Sequence, residues 1–225
     1  MTKTLEKPTS LTSHAYKAVR DMVLAGEIEP GSKIKIDELR ERLSFGASPI
    51  REALSLLSSE GLVERFEQRG FRAARVSVAD FESLLQTRCW AEERALRESI
   101  ACGDAAWEER IVLAEYRLAN TKRSPELAGN GQTWESLHQD FHKALISSCP
   151  SAYLLQFCDQ LYDLNVRYRN IASLAAYPSR NVSNEHKSIA EATLNRDVEE
   201  AVELLVAHYK RTGGYLIKRL SKLAE

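Results

Sequence analysis

Apolar residues recur every three to four positions along most of the chain, and the breaks in that rhythm fall at glycine, proline and serine clusters. Residues 1–10 are polar, carry a proline and read as a flexible tail. Ala15, Val19, Met22 and Val23 then share one face and predict a helix from Ser13 to Ala25, ended by Gly26 and the Pro30-Gly31 turn. Ile36, Leu39 and Leu43 predict a short second helix, with Asp37 and Glu38 in the first turn where carboxylates favour the positive end of the helix dipole. After the small-residue break from Ser44 to Ser48, Pro49 suits the first helical position behind a Ser48 N-cap. Ile50, Ala53, Leu54 and Leu57 draw the stripe of a third helix that stops at Gly61. Leu62–Phe66 and Phe71–Val76 flank Glu67-Gln68-Arg69-Gly70 and predict two short strands joined by a turn. Helix, helix, tight turn, helix, hairpin is the order of a winged helix-turn-helix.

Beyond a linker at 77–79 the helical period never lapses for long: 80–101, 105–120, 133–148, 151–174, 184–194 and 198–223. The loops between them are marked by Ser124-Pro125 through Gly131 and by Tyr177-Pro178-Ser179, and Asp197 with Glu200 forms a capping box for the last helix. The fold class is therefore mainly α: a winged helix-turn-helix over 11–76, then an antiparallel helical bundle over 80–225.

Composition narrows the classes. With 225 residues, 44% hydrophobic and 28% charged, the chain is neither a fibre nor a disordered segment. No apolar run approaches the length of a bilayer span, and the opening residues lack the apolar core of a signal peptide, so a cytoplasmic protein without a membrane partner is expected. Cys89, Cys102, Cys149 and Cys158 stand far apart with no Cys-x-x-Cys pair and read as reduced thiols. The net charge of -1 argues against indiscriminate coating of nucleic acid. Its distribution, 13 Lys+Arg against 11 Asp+Glu up to residue 78 and 18 against 21 thereafter, permits a nucleic-acid-binding front domain.

In a helix-turn-helix the N-terminal end of the second helix enters the major groove. Here that end is Ser48-Pro49-Ile50-Arg51-Glu52. Arg51 lies off the apolar stripe, and a guanidinium can bind guanine O6 and N7 together. Lys33, Lys35 and Arg40 are placed for phosphates, and Gln68 and Arg69 sit at the tip of the wing. The plainer reading of Arg51 is a solvated charge paired locally. The segments from Gly26 to Ile34, Ser48-Pro49-Ile50-Arg51-Glu52-Ala53-Leu54, Glu60-Gly61-Leu62-Val63 and Arg69-Gly70 resemble, in order and spacing, the DNA-binding domain of the GntR family of bacterial transcription regulators. That resemblance implies double-stranded operator DNA as a partner and a pseudo-palindromic operator read by a homodimer. The family often has Ser-Arg where this chain has Gly46-Ala47, which leaves Arg51 as the main candidate base reader.

Four of the five histidines fall in the rear domain. His138 and His142 are four apart on one helix face, while His186 and His208 keep company with core positions, so all four are expected inside. Buried imidazoles need polar partners, and either hydrogen bonds or a shared divalent metal, zinc, nickel or copper, would supply them. The segment from Asp80 to Leu223 resembles the FCD domain of the FadR-like branch of the same family, many of whose members hold a metal by an Asp and three His. His142, His186 and His208 fit that spacing, and His138 occupies the Asp position. The resemblance implies zinc, or nickel, in an effector domain, with Arg88 and Glu92 in its pocket, and Arg167, Tyr168 and Arg169 are further candidate effector contacts. A narrower likeness within the branch, carried by Trp134-Glu135-Ser136-Leu137-His138 and Arg167-Tyr168-Arg169, implies a small carboxylic acid effector, a dicarboxylate such as glutarate or 2-hydroxyglutarate. Two alternatives stay open: a metal-dependent hydrolase and a purely structural metal. Against the hydrolase, Glu185 and Asp140 are the only carboxylates beside these histidines in sequence, and both are expected to point away.

Overall fold

The computed structural model describes residues 10–66, 69–122, 133–172 and 180–223. Most of the expected tail, Gln68 at the wing tip, and the loops expected at Ser124 to Gly131 and at Tyr177 to Ser179 lie outside the described residues. In chain order the elements are α1 (Leu11–Ala25), β1 (Lys33–Ile34), α2 (Ile36–Leu43), α3 (Ala47–Ser59), β2 (Val63–Phe66), β3 (Gly70–Ala73), α4 (Val78–Cys102), α5 (Ala105–Ala119), α6 (Trp134–Ile146), α7 (Ala152–Ile171), α8 (Val182–Leu194) and α9 (Val198–Leu223). They form two compact units: the chain up to Asp80 together with α7 from Asp163, and Phe81–Tyr162 together with α8 and α9.

In the first unit α1 starts where the Ser10 hydroxyl accepts from the Ser13 amide. It stops where Gly26 takes φ 79°, a left-handed conformation that returns its N–H to the Met22 and Val23 carbonyls. Val19, Val23, Ile50, Leu54 and Leu57 close the core with Ile34, Val63, Phe71 and Ala73 of the sheet. The sheet order is β1-β3-β2, with Ile34 opposite Phe71 and Val63 opposite Ala73. Two residues carry no alternation, so the pattern could not announce β1. Ser48 is not the cap of α3. Gly46 occupies that place in extended conformation with no side-chain cap, and the Ser48 hydroxyl donates to Glu52 Oε1 instead, at 3.3 Å.

The expected linker at 77–79 gives way to an irregular stretch at residues 74–77, because α4 begins at Val78. The end of α7 also belongs to the first unit. Asp163 pairs with Arg20, Asn170 Nδ2 donates to the Leu24 carbonyl at 2.7 Å, Leu164 packs on the winged-helix core, and Arg167 donates to the Ala74 carbonyl.

In the second unit Leu96, Trp107, Ile111, Phe141, Leu145, Ile189 and Leu205 are buried together. α5 packs on α6 and α8, and α8 packs on α9. Asp104, Thr133 and Asn181 cap α5, α6 and α8, and the Asp197 carboxylate accepts from the Glu200 amide at the start of α9. Gly213 and Gly214 stand within α9, where each costs about 1 kcal/mol relative to Ala. Packing explains the first: a Cβ on Gly213 would lie 2.3 Å from Leu85 Cδ2. On Gly214 a Cβ would meet nothing within 4 Å, so packing does not explain it.

Arg167 is 2% exposed, and burial lowers the pKa of its guanidinium, so it depends on the carbonyl it donates to. Arg167→Ala is expected to destabilise the first unit by roughly 1–3 kcal/mol, read from urea unfolding, since a buried donor and acceptor lose each other. An unchanged midpoint would show that this hydrogen bond does not hold α7 to the winged helix.

Candidate effector centre and DNA-reading face

On the first unit, Arg51 projects from the opening turns of α3 and is exposed, and among the described residues it has no carboxylate partner. Lys35 and Arg40 are exposed too, paired with Glu38 at 2.6 Å and Asp37 at 3.0 Å. Such solvated pairs are worth little and exchange readily for a phosphate. Arg69 is exposed beside β3. Ser48 lies in the first turn of α3, whose leading amides face outward as in helix ends that bind phosphate.

In the second unit His138 and His142 on α6, His186 on α8 and His208 on α9 are all buried, and one ligand atom from each lies within 4.8 Å of the others. The i,i+4 spacing brings Nε2 of His138 and of His142 to 3.1 Å. Trp134, one turn earlier, stacks on His138 with ring centres 4.8 Å apart and restricts its rotation.

The outer nitrogens of His138, His142 and His208 have partners. The Tyr209 hydroxyl donates to Glu92 Oε2, so toward His142 Nδ1, 2.9 Å away, its oxygen is the acceptor. His142 therefore carries its proton on Nδ1 and turns an Nε2 lone pair inward. His208 Nδ1 lies 2.9 Å from Glu185 Oε2 and 3.0 Å from Arg180 Nη2. Glu185 and the His208 carbonyl already take both hydrogens of that Nη2. His208 thus donates to Glu185, and its Nε2 faces the cluster. Burial pushes the His208 pKa down to about 4, against the attraction of Glu185, so the ring is neutral near pH 7 and competent as a ligand. His138 Nδ1 reaches the Tyr162 hydroxyl at 3.2 Å.

Glu185 corrects the sequence reading. It sits in the first turn of α8 and reaches α9 because Arg180 clamps its carboxylate and Arg211 approaches at 3.3 Å. Burial opposes its charge, but Arg180 and the His208 hydrogen bond hold its pKa well below the usual carboxylate range. The donor set fits a metal. A tetrahedral ion with bonds of about 2.0–2.1 Å to imidazole nitrogen spaces its ligands about 3.3 Å apart, within reach of the separations here. Without an ion the same 3.1 Å contact is a hydrogen bond in which His138 donates from Nε2 to His142 Nε2.

Arg88 is 4% exposed and lies with its Cζ 4.0 Å from the centre of the Tyr209 ring and 5.1 Å from that of Tyr162. Its Nε donates to Glu92 Oε1 at 2.6 Å, while Nη2 is buried with no hydrogen-bond partner among the described residues. Burial opposes the charge, but Glu92 raises the Arg88 pKa. Arg88 and Glu92 are thus joined to the histidines through Tyr209 and Tyr162, neither of which the sequence reading made a site residue. Arg167 and Tyr168 are not grouped with them: both belong to the first unit, Arg167 against Ala74 and Tyr168 against the backbone of Ser77. Arg169, also buried, lies in that unit as well.

A winged helix and a helical domain with a buried imidazole cluster define a DNA-binding regulator with a small-molecule sensing domain. Residues 11–72 match the bacterial regulatory proteins of the gntR family and residues 83–211 the FCD domain, and the chain belongs to this family of transcription regulators. It is 38% identical over 203 residues, 88% of this chain and 82% of the relative, to the HTH-type transcriptional regulator BphR of Paraburkholderia xenovorans LB400. It is 30% identical to the HTH-type transcriptional repressor GlaR of Escherichia coli K12, covering 86% of this chain and 90% of that one. Among solved structures, E. coli McbR/YncC superposes with a TM-score of 0.77 at 17% identity, over 94% of this chain and 99% of that one, and supports the fold. These families and relatives are regulators, not enzymes. Among the described residues no helix is long and apolar enough to cross a membrane.

The Arg88–Glu92 pair is nearly sealed from water, so removing one partner strands the other. Glu92→Leu alone is expected to cost roughly 3–5 kcal/mol in chemical unfolding, and Arg88→Met with Glu92→Leu to recover a large part of it. Equal losses in the single and double variants would show that the pair is not energetically coupled.

Proposed function

We propose that this chain is a homodimeric, metal-containing repressor whose operator affinity is set by a small dicarboxylate bound in the second unit. The observation that carries the effector reading is the buried, unpartnered Nη2 of Arg88 beside the histidine cluster. A buried guanidinium nitrogen calls for an acceptor, and a carboxylate is the group that its planar fork fits best. His138, His142, His186 and His208 would hold the ion, zinc by preference and nickel as the alternative. Four neutral imidazoles leave a divalent ion's charge uncompensated, which favours an anionic ligand. One carboxylate of glutarate or 2-hydroxyglutarate would then complete the Arg88 fork. The repressor assignment follows the likeness to GlaR. Trp90 on α4, Val112, Leu113 and Tyr116 on α5, and Tyr153 and Phe157 on α7 are large apolar side chains left exposed, the kind of residue that a second copy covers.

On the first unit, Arg51 reads the operator's bases, with Lys35, Arg40, Ser48, Gln68 and Arg69 on its backbone. An effector changes DNA affinity only by binding two arrangements of the dimer unequally. Arg51→Ala is expected to cost about 1–3 kcal/mol of operator affinity and to relax specificity at one base pair, read by gel shift across single-base operator variants. Uniform weakening across all variants would make Arg51 a phosphate contact.

Chain purified without chelators is expected to hold about one metal ion, lost in His142→Ala. Glutarate or 2-hydroxyglutarate should raise the melting temperature of the loaded form only. Arg88→Lys keeps the charge opposite Glu92 but removes the fork, and should retain metal while losing the response. Metal without a response to any small acid would leave the ion structural; no metal at all would make the histidines hydrogen-bonded core residues.

A further inference from the structure

α8 and α9 flank a cleft of about 620 Å³ lined by Arg180, Glu185, Lys210, Arg211, Gly214 and Lys218. Four cations face one carboxylate there. Glu185 is engaged by Arg180 and Arg211, which leaves Lys210 and Lys218 as the unbalanced charges, and among the described residues neither has a carboxylate partner. The two lysines are eight residues apart on α9, a little over two turns, and Gly214 lies midway between them. A glycine there weakens the helix, and no neighbour requires it. What its missing side chain provides is room in the cleft between the two ammonium groups.

We propose that this cleft binds a small polyanion through Lys210 and Lys218, beside the histidine centre, whose His208 shares Arg180 and Glu185 with it. The cavity has the size of a small-molecule site. Like charges around the cleft attract an anion, and two lysines separated along the helix suit a molecule with at least two negative groups. Such groups are phosphates or carboxylates, and the same ammonium pair serves either. Nucleic acid is the less suitable occupant, because a duplex backbone needs a longer stripe of cations than these four residues supply. Arg180 and Glu185 also hold His208, so they are poor choices for a test.

The test is isothermal titration of the full chain with inorganic pyrophosphate and, in parallel, with citrate. At least one is expected to bind at a single site per chain, and the tighter of the two tells phosphate from carboxylate. Lys210→Ala with Lys218→Ala is expected to weaken binding about tenfold or more. Gly214→Leu, which fills the cleft while improving helix propensity, is expected to do the same without lowering the melting temperature. His142→Ala is expected to leave binding unchanged within about twofold, and the lysine double variant to leave operator affinity unchanged to the same degree. The proposal is overturned if neither probe binds, if binding survives both cleft variants, or if His142→Ala abolishes it, which would put the anion at the histidines. Weakened operator binding in the lysine variant would overturn it too, by making this face a DNA contact.

Discussion

The second unit is organised around one electrostatic problem: a guanidinium and four imidazoles taken out of water together. Arg88 cannot lose its charge, so Glu92 must lie beside it, and the second oxygen of Glu92 fixes the Tyr209 hydroxyl. That hydroxyl fixes the proton of His142, and with it the direction of the inner lone pair. Glu185 does the same for His208 from the opposite side. The rings are thus set from outside, as in metal sites whose ligands are oriented by the groups behind them. Replacing Tyr209 or Glu185 would disturb the centre without touching an inner nitrogen.

A sensing domain matters only if its state reaches the DNA-reading head. Two helices carry the chain through both units: α4, which leaves the first at Asp80, and α7, which enters it at Asp163. On α7, Tyr162 faces His138 and the next residue, Asp163, pairs with Arg20 of α1. One helical step therefore separates a contact of the histidine centre from a contact of the winged helix.

Much of this was legible in the chain. The helices were readable because long periodic stripes and strong caps agree, as with Asp197 and Glu200 at the start of α9. The inward direction of the four histidines followed from their positions on those stripes, and the i,i+4 pair from helix geometry. Features that depend on contacts distant in sequence were not legible. Tyr162 and Tyr209 lie at ordinary core positions, and only the fold puts their hydroxyls against His138 and His142. Arg167, next to Tyr168 and Arg169, suggested a pocket, yet its partner is a carbonyl 93 residues away. Glu185 looked outward because its stripe is polar, and only Arg180 and His208 draw it in. Ser48 lost the cap of α3 to Gly46, a difference of two positions that spacing alone does not decide.

Four buried imidazoles, with one ligand atom of each within 4.8 Å of the others, can hold a divalent ion. X-ray absorption at the metal edge, on the full chain purified without chelators, tests it most directly. A shell of about four nitrogen or oxygen neighbours near 2.0–2.1 Å with the outer-shell signature of imidazole is the predicted result. A sulfur shell near 2.3 Å, placing the metal on cysteine, or a chain that binds no metal at all would contradict it.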